Sequence, residues 1–238
     1  MKYIFLIYMN LIYISLCGVI LFSVIYFLYQ EKKQHHQTFC NRIYDQEYLY
    51  TKQYVIRNFL TKEECNHIIK EANQYGYKHT WTTDRHNHYP TTDNKIIESW
   101  KCYEMLENKI NTQLFPYYEG KYRLKPNILS IIELFIAKYD GNQENTQKSL
   151  NPHQDGSEFS FIICLNEDYE GGGTRFVKQN KTIHLNTGDV VVFCGQTEHE
   201  GLDVTNGVRY ILPGFLRYGY CSQPVSYTHL RAHETSQN

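Results

Sequence analysis

The stretch "NPHQDGSEFSFIICLN", residues 151–166, begins polar and ends as an apolar run. If it is extended, residues two apart share a face, so His153 and Asp155 project together while Gln154 turns away. Phe159, Phe161, Ile162 and Ile163 then call for a core. The spacing predicts one strand, starting at a rim with His153 and Asp155 and running on into the interior. An imidazole beside a carboxylate is either part of a metal site or a surface ion pair, and the surrounding sequence discriminates between them.

Working outward, the same texture of short apolar runs between turn residues extends from Leu129. It covers "LSIIELFIAKY", "FSFIICL", "TRFV", "KTIHL", "DVVVFC" and "VRYILPGFL", separated by turns such as "GGG" and "NTGD". Upstream, "YVIRNFL" reads as a short strand over residues 54–60. It leads into "TKEECNHIIKEANQYGY", where Thr61 and Glu64 form a capping box and Ile68, Ile69 and Ala72 an apolar stripe ending at Gly76. A second helical pattern runs through Ile96, Ile97, Trp100, Leu106 and Ile110. The loop between them, "HTWTTDRHNHYPTTD", carries His86 and His88 and reads as a surface loop rather than a substrate groove. Helices followed by many short strands predict an α+β, mainly β fold: a double-stranded β-helix (jelly roll) with flanking N-terminal helices.

A third ligand for His153 and Asp155 must come from a distant strand. "VVVFCGQTEHEGLDVTNGVRY" supplies His199, and ten residues beyond it Arg209 opens an apolar strand. A guanidinium at the head of a core-facing strand is costly unless paired, and its planar fork suits a carboxylate. Two histidines and one carboxylate leave several metal positions open, the arrangement of non-haem Fe(II) oxygenases. Zinc accepts the same donors but leaves Arg209 unexplained. His35-His36 reads as stem and His184 as part of a solvated strand face.

The N-terminus is different in kind. Tyr3 to Tyr29 holds no charged residue and exceeds the roughly 20 residues that cross a bilayer as a helix, with tyrosines near both ends. The reading is one transmembrane helix within residues 1–30, a stem over 31–53 and a catalytic domain over 54–222. A tail over 223–238 is excluded from the fold, because Val225 to Thr235 reads as a translated sequencing-library adapter. Flanking lysines (Lys2 against Lys32 and Lys33) nearly cancel as a topology signal. With 24 basic and 25 acidic residues there is no electrostatic case for a nucleic-acid partner. Seven cysteines without a C-x-x-C pair permit disulfides without demanding any. One N-x-[ST] sequon stands at Asn180.

"KYDGNQENTQKSLNPHQDGSEFSFIICLNEDYEGGGTRF" and "GDVVVFCGQTEHEGLDVTNGVRYILPGFL" resemble the catalytic domain of 2-oxoglutarate- and Fe(II)-dependent dioxygenases of the prolyl 4-hydroxylase-like and procollagen lysyl hydroxylase-like kind. "NFLTKEECNHIIKEA" is similar to the helical entry of the prolyl group. The resemblance implies Fe(II) held by His153, Asp155 and His199. It also implies 2-oxoglutarate with its far carboxylate on Arg209, Tyr139 and Thr174 beside it, O2 as oxidant, and ascorbate. It implies hydroxylation of lysine or proline in a protein or peptide substrate, and residence in the endoplasmic reticulum or Golgi with a lumenal domain. An intact Asp155 argues against a halogenase. The competing expectations are a catalytically silent jelly roll binding peptides or glycans, and the same chemistry on a small molecule or lipid.

Overall fold

The computed structural model describes residues 23–30, 51–86 and 89–219. The chain divides into two units, Met1–Glu47 and Tyr48–Asn238. In the first, residues 23–30 are helical, and the expected anchor lies for the most part outside the described residues. Among the described residues no helix is long and apolar enough to cross a membrane, so the anchor draws no support from the structure. The stem and the adapter-like tail likewise lie almost wholly outside the described residues.

The second unit is a β-sandwich with helices on one side. Its strands are β1 (Tyr54–Ile56), β2 (Asp93–Lys95), β3 (Leu129–Asp140), β4 (Leu150–His153), β5 (Phe159–Cys164) and β6 (Tyr169–Gly171). They continue with β7 (Thr174–Phe176), β8 (Lys181–Ile183), β9 (Val190–Cys194), β10 (His199–Gly201) and β11 (Val204–Tyr218). The major sheet runs β1-β9-β5-β11-β3-β2, with β6 added beside β11, and the minor sheet runs β4-β10-β7-β8. Between them lie Phe135, Ile162, Val191, Phe193 and Ile211 from the major sheet and Phe176 and Ile183 from the minor one.

The long helix α1 (Lys62–His79) starts where the sequence places it. Glu64 N donates to Thr61 Oγ1 (3.1 Å) and Thr61 N to Glu64 Oε2 (2.8 Å), which satisfies two of the first-turn donors. It ends later than expected, at Thr80 with φ 64°. Gly76 is inside the helix, where the Trp81 indole occupies the space a Cβ would fill. The second helical stretch is also displaced. Ile96, Ile97 and Trp100 precede it, and the helical residues are α2 (Tyr103–Lys109), a π turn over Ile110–Leu114 and α3 (Phe115–Tyr122).

These helices cover the outer face of the major sheet. Tyr118 and Tyr122 pack on Phe159 at 5.3 and 5.0 Å between ring centroids, and the Tyr118 hydroxyl donates to Ser160 O. The middle strands β5 and β9 are therefore buried at every position, which is why they read as unbroken apolar runs rather than alternating ones. Cys65, Cys102, Cys164 and Cys194 are buried free thiols.

Candidate metal centre and carboxylate site

The single strand expected through residues 151–166 is two strands in two sheets. β4 ends at His153 in the minor sheet, residues 154–158 cross over, and β5 begins at Phe159 in the major sheet. Asp155 sits in that crossover, tied down by its N–H on Gly195 O (2.8 Å). The polar-to-apolar change in the sequence marks a change of sheet. His199, the first residue of β10, lies directly opposite His153 in the register.

The crossover and β10 bring three side chains to one point. His153 Nε2 is 3.5 Å from Asp155 Oδ1, His199 Nε2 is 3.8 Å from Asp155 Oδ2, and one ligand atom from each residue lies within 4.8 Å of the others. Each imidazole is oriented by its far nitrogen: His153 Nδ1 donates to Asn151 O (2.8 Å) and His199 Nδ1 to Thr197 O (2.9 Å). A carbonyl only accepts, so Nδ1 carries the proton and Nε2 keeps its lone pair facing the shared centre, the form a metal needs. Burial pushes the Asp155 carboxyl up, but His199, His153 and a Ser160 hydrogen bond together hold it below its ordinary value. Burial pulls His199 down, against the charge of Asp155, and leaves it lowered. At His153 burial also pulls down, yet the hydrogen bond and charge of Asp155 outweigh it and the pKa is raised. An ionised carboxylate between two imidazoles that present lone pairs is a donor set suited to a divalent cation.

Arg209 lies on β11 in the major sheet, 4% exposed. Its Nη1 donates to Gly173 O (3.3 Å), its Nη2 to Thr174 Oγ1 (3.4 Å), and its guanidinium stands 5.6 Å over the Tyr139 ring, the residue opposite it on β3. Among the described residues Arg209 forms no ion pair, and its buried Nε has no partner. A desolvated guanidinium with an open edge fits a carboxylate supplied by a ligand. Thr174 thus touches Arg209 rather than merely shaping a turn. Tyr139 is fully enclosed, and burial pushes its hydroxyl up to about 12 despite the opposing charge of Arg209.

The three-residue cluster, Arg209, Tyr139 and Thr174 line one cavity of about 840 Å³. The far wall was not expected to contribute. Arg85, His86 and Tyr89 of the predicted surface loop line the cavity too, Tyr89 stacking on His153 at 5.0 Å. Arg85 pins that loop by pairing with Asp93 and Glu133 and lying over Phe135. No pattern in the sequence marks Arg85, because its partners come from β2 and β3. His184 is exposed, as expected, but lies just beyond β8 rather than on a strand face; His88 and His35-His36 lie outside the described residues.

No protein-family model matches the chain. Procollagen-lysine,2-oxoglutarate 5-dioxygenase 1 of Mus musculus is 30% identical over 171 residues, 66% of this chain and 22% of that protein. The Gallus gallus protein of the same name is 32% identical over 174 residues, with the same coverage. The chain thus spans about a fifth of the length of these relatives. Among solved structures, the viral collagen prolyl hydroxylase of Paramecium Bursaria Chlorella virus-1, in its 2OG complex, matches with a TM-score of 0.55 at 18% identity, covering 71% of this chain and 96% of that one. A Pseudomonas putida prolyl-4-hydroxylase matches with a TM-score of 0.56 at 18% identity over 71% and 93%. The structural matches establish a shared fold, and the sequence matches are to named 2-oxoglutarate dioxygenases. The chain belongs to the 2-oxoglutarate- and Fe(II)-dependent dioxygenase family, on its prolyl 4-hydroxylase-like and procollagen lysyl hydroxylase-like side.

Proposed function

We propose that the chain is a 2-oxoglutarate-dependent Fe(II) dioxygenase that hydroxylates lysyl or prolyl residues of a protein or peptide. One observation carries the reading: a two-histidine, one-carboxylate cluster shares a cavity with a buried arginine that has no acid partner. In this reading His153 Nε2, the Asp155 carboxylate and His199 Nε2 hold Fe(II). Arg209 takes the far carboxylate of 2-oxoglutarate, with Thr174 and Tyr139 beside it. Bound there with O2, iron and 2-oxoglutarate supply the oxidation of a substrate C–H bond to an alcohol, 2-oxoglutarate leaving as succinate and CO2.

The protein's own work is orientation and exclusion of water. Asn151 O and Thr197 O fix the two imidazoles, Gly195 O fixes the Asp155 backbone, and Phe176 and Phe193 pack against His199 at 6.0 and 4.7 Å. Tyr89 lies against His153, and Arg85 and His86 line the same cavity, where a peptide side chain would enter. The procollagen-directed names of the relatives support a peptidyl substrate and, with it, a lumenal location. Glycan occupancy of Asn180, exposed in the turn before β8, tests that location.

The experiment is mass spectrometry of lysine- and proline-containing peptides incubated with protein, Fe(II), 2-oxoglutarate and ascorbate. The expected result is gain of one oxygen matched by succinate, abolished by His153→Ala and Asp155→Ala. Iron-loaded protein that turns over no 2-oxoglutarate with any peptide refutes the reading.

A further inference from the structure

Arg85, His86 and Tyr89 are all tied, directly or in relay, to one buried carboxylate. Asp93, the first residue of β2, is 0% exposed. Its backbone pairs with Thr82: Thr82 N donates to Asp93 O (3.1 Å), and Asp93 N donates to Thr82 O (3.0 Å). Its side chain accepts Arg85 Nε on Oδ1 (2.5 Å) and the Thr91 hydroxyl on Oδ2.

Arg85 passes the hold on. Its Nη1 donates to Glu133 Oε1 (2.5 Å), its guanidinium lies 4.9 Å over the Phe135 ring, and its Nη2 stands 3.1 Å from His86 Nε2. A guanidinium only donates, so His86 accepts there. The His86 ring is thereby set against Phe135 and Phe215, at 5.1 and 6.2 Å between centroids. His86 O in turn accepts the N–H of Tyr89 (3.1 Å), whose ring lies on His153. Asp93 and Glu133 do not line the cavity themselves, whereas Arg85, His86, Tyr89 and Thr91 do. A buried ion pair seldom stabilises more than apolar side chains of the same volume. What a carboxylate and a rigid guanidinium fork add is direction.

We propose that Asp93 is a positioning residue for peptide binding: through Arg85 it holds the His86 and Tyr89 rings in the arrangement that receives a substrate side chain beside His153. The inference rests on the proposed function. It predicts a loss confined to the peptide, because the groups around Arg209 share the cavity but none of these bonds.

The test is steady-state kinetics with a Gly-Pro-Lys repeat peptide, beside calorimetry of 2-oxoglutarate on Mn(II)-loaded protein. Asp93→Asn keeps the shape of the side chain and removes its charge. Its KM for the peptide is expected to rise about tenfold, the loss of one charge-assisted hydrogen bond, with kcat within about twofold of wild type. Its Kd for 2-oxoglutarate stays at the wild-type value. Arg85→Gln breaks the same contact from its other, 22% exposed end, and carries the test if Asp93→Asn does not fold. It should raise KM as much, and the double variant no more than either single one. An unchanged peptide KM, equal weakening of peptide and 2-oxoglutarate, or additive losses in the double variant overturn the role of Asp93. A wild-type protein that makes no succinate with this or any other lysine or proline peptide overturns the proposed function itself, and this inference with it.

Discussion

Replacing Arg209 by methionine should stabilise the ligand-free protein while removing its response to 2-oxoglutarate. Arg209 is 4% exposed and has no carboxylate partner among the described residues, so folding desolvates its charge without compensation. Exchanging buried ionic groups for apolar ones of similar size commonly gains about 1–4 kcal/mol. Against this stands the cation–π contact with Tyr139, worth about 1 kcal/mol. The two acceptors are cheap to release. Gly173 O keeps the N–H of Leu202 at 3.1 Å, and the Thr174 hydroxyl can rotate. A net gain of roughly 1–2 kcal/mol follows, or about 2–8 °C in Tm for a domain of this size.

Ligand response moves the other way. At a hundred times its Kd, 2-oxoglutarate should stabilise metal-loaded wild-type protein by about 2.7 kcal/mol, roughly 5–10 °C. Loss of the charge-assisted contact weakens binding over about a hundredfold and removes most of that shift. Thermal melts of both proteins, with and without 2-oxoglutarate in the presence of Mn(II), read both effects. A lower Tm for Arg209→Met with an undiminished ligand shift would refute the reasoning in full.

Metal affinity should fall with pH. The raised pKa of His153 means the metal-free site holds a proton there to higher pH than an ordinary histidine, so Mn(II) competes freely above that pKa and loses ground below it. Calorimetric titration from pH 8 to pH 5.5 checks the direction, and a flat profile would contradict it. Gly188→Ala should cost about 2 kcal/mol or more in a urea melt: Gly188 has φ 85°, its Cβ would strike Leu60 O, and it accepts the Leu60 N–H at 3.0 Å. Thr61→Ala, which opens the capping box, should lower stability by about 1 kcal/mol. Glu64→Gln keeps the cap but loses the 2.6 Å ion pair with Lys109. Burial pushes the Glu64 carboxyl up, but bonding to Lys109 and Thr61 N leaves it below its ordinary value. Its stabilisation is therefore present above the unfolded pKa and lost as pH falls through the folded one, and the Gln variant should show a shallower acid limb.

The parts of the site that were legible are those whose chemistry is uneconomical elsewhere. His153, Asp155 and His199 stand out as ordered metal donors, and Arg209 as a charge on a core-facing strand. The capping box was equally plain because Thr61 and Glu64 act locally, whereas Gly76, expected to end the helix, makes room for the Trp81 indole. Two kinds of information were not. The H-x-D triplet looks like the start of β5 because both segments are extended, and only inter-sheet pairing shows that β4 belongs to the opposite layer. Arg85 and Tyr89 owe their places to partners distant in sequence, so their local pattern is that of an ordinary loop. Asp189 is likewise a long-range anchor, accepting from Arg57 Nη1 and the N–H groups of Asn58 and Asn186.

The three candidate metal donors sit on or beside the minor sheet, whereas Arg209 belongs to the major one, and Phe176, Phe193 and Ile162 fill the space between. That hydrophobic layer acts as a spacer gauge. Sheets packed face to face stand about 10 Å apart, a gap set by the side chains between them. A substitution such as Phe193→Leu would remove no binding group, yet it would loosen the packing on His199 and change the reach from metal to guanidinium. Selectivity among keto diacids of different chain length is therefore tunable from residues that touch none of them. Core variants that pass a folding assay unnoticed can then be expected to differ in the acid they accept.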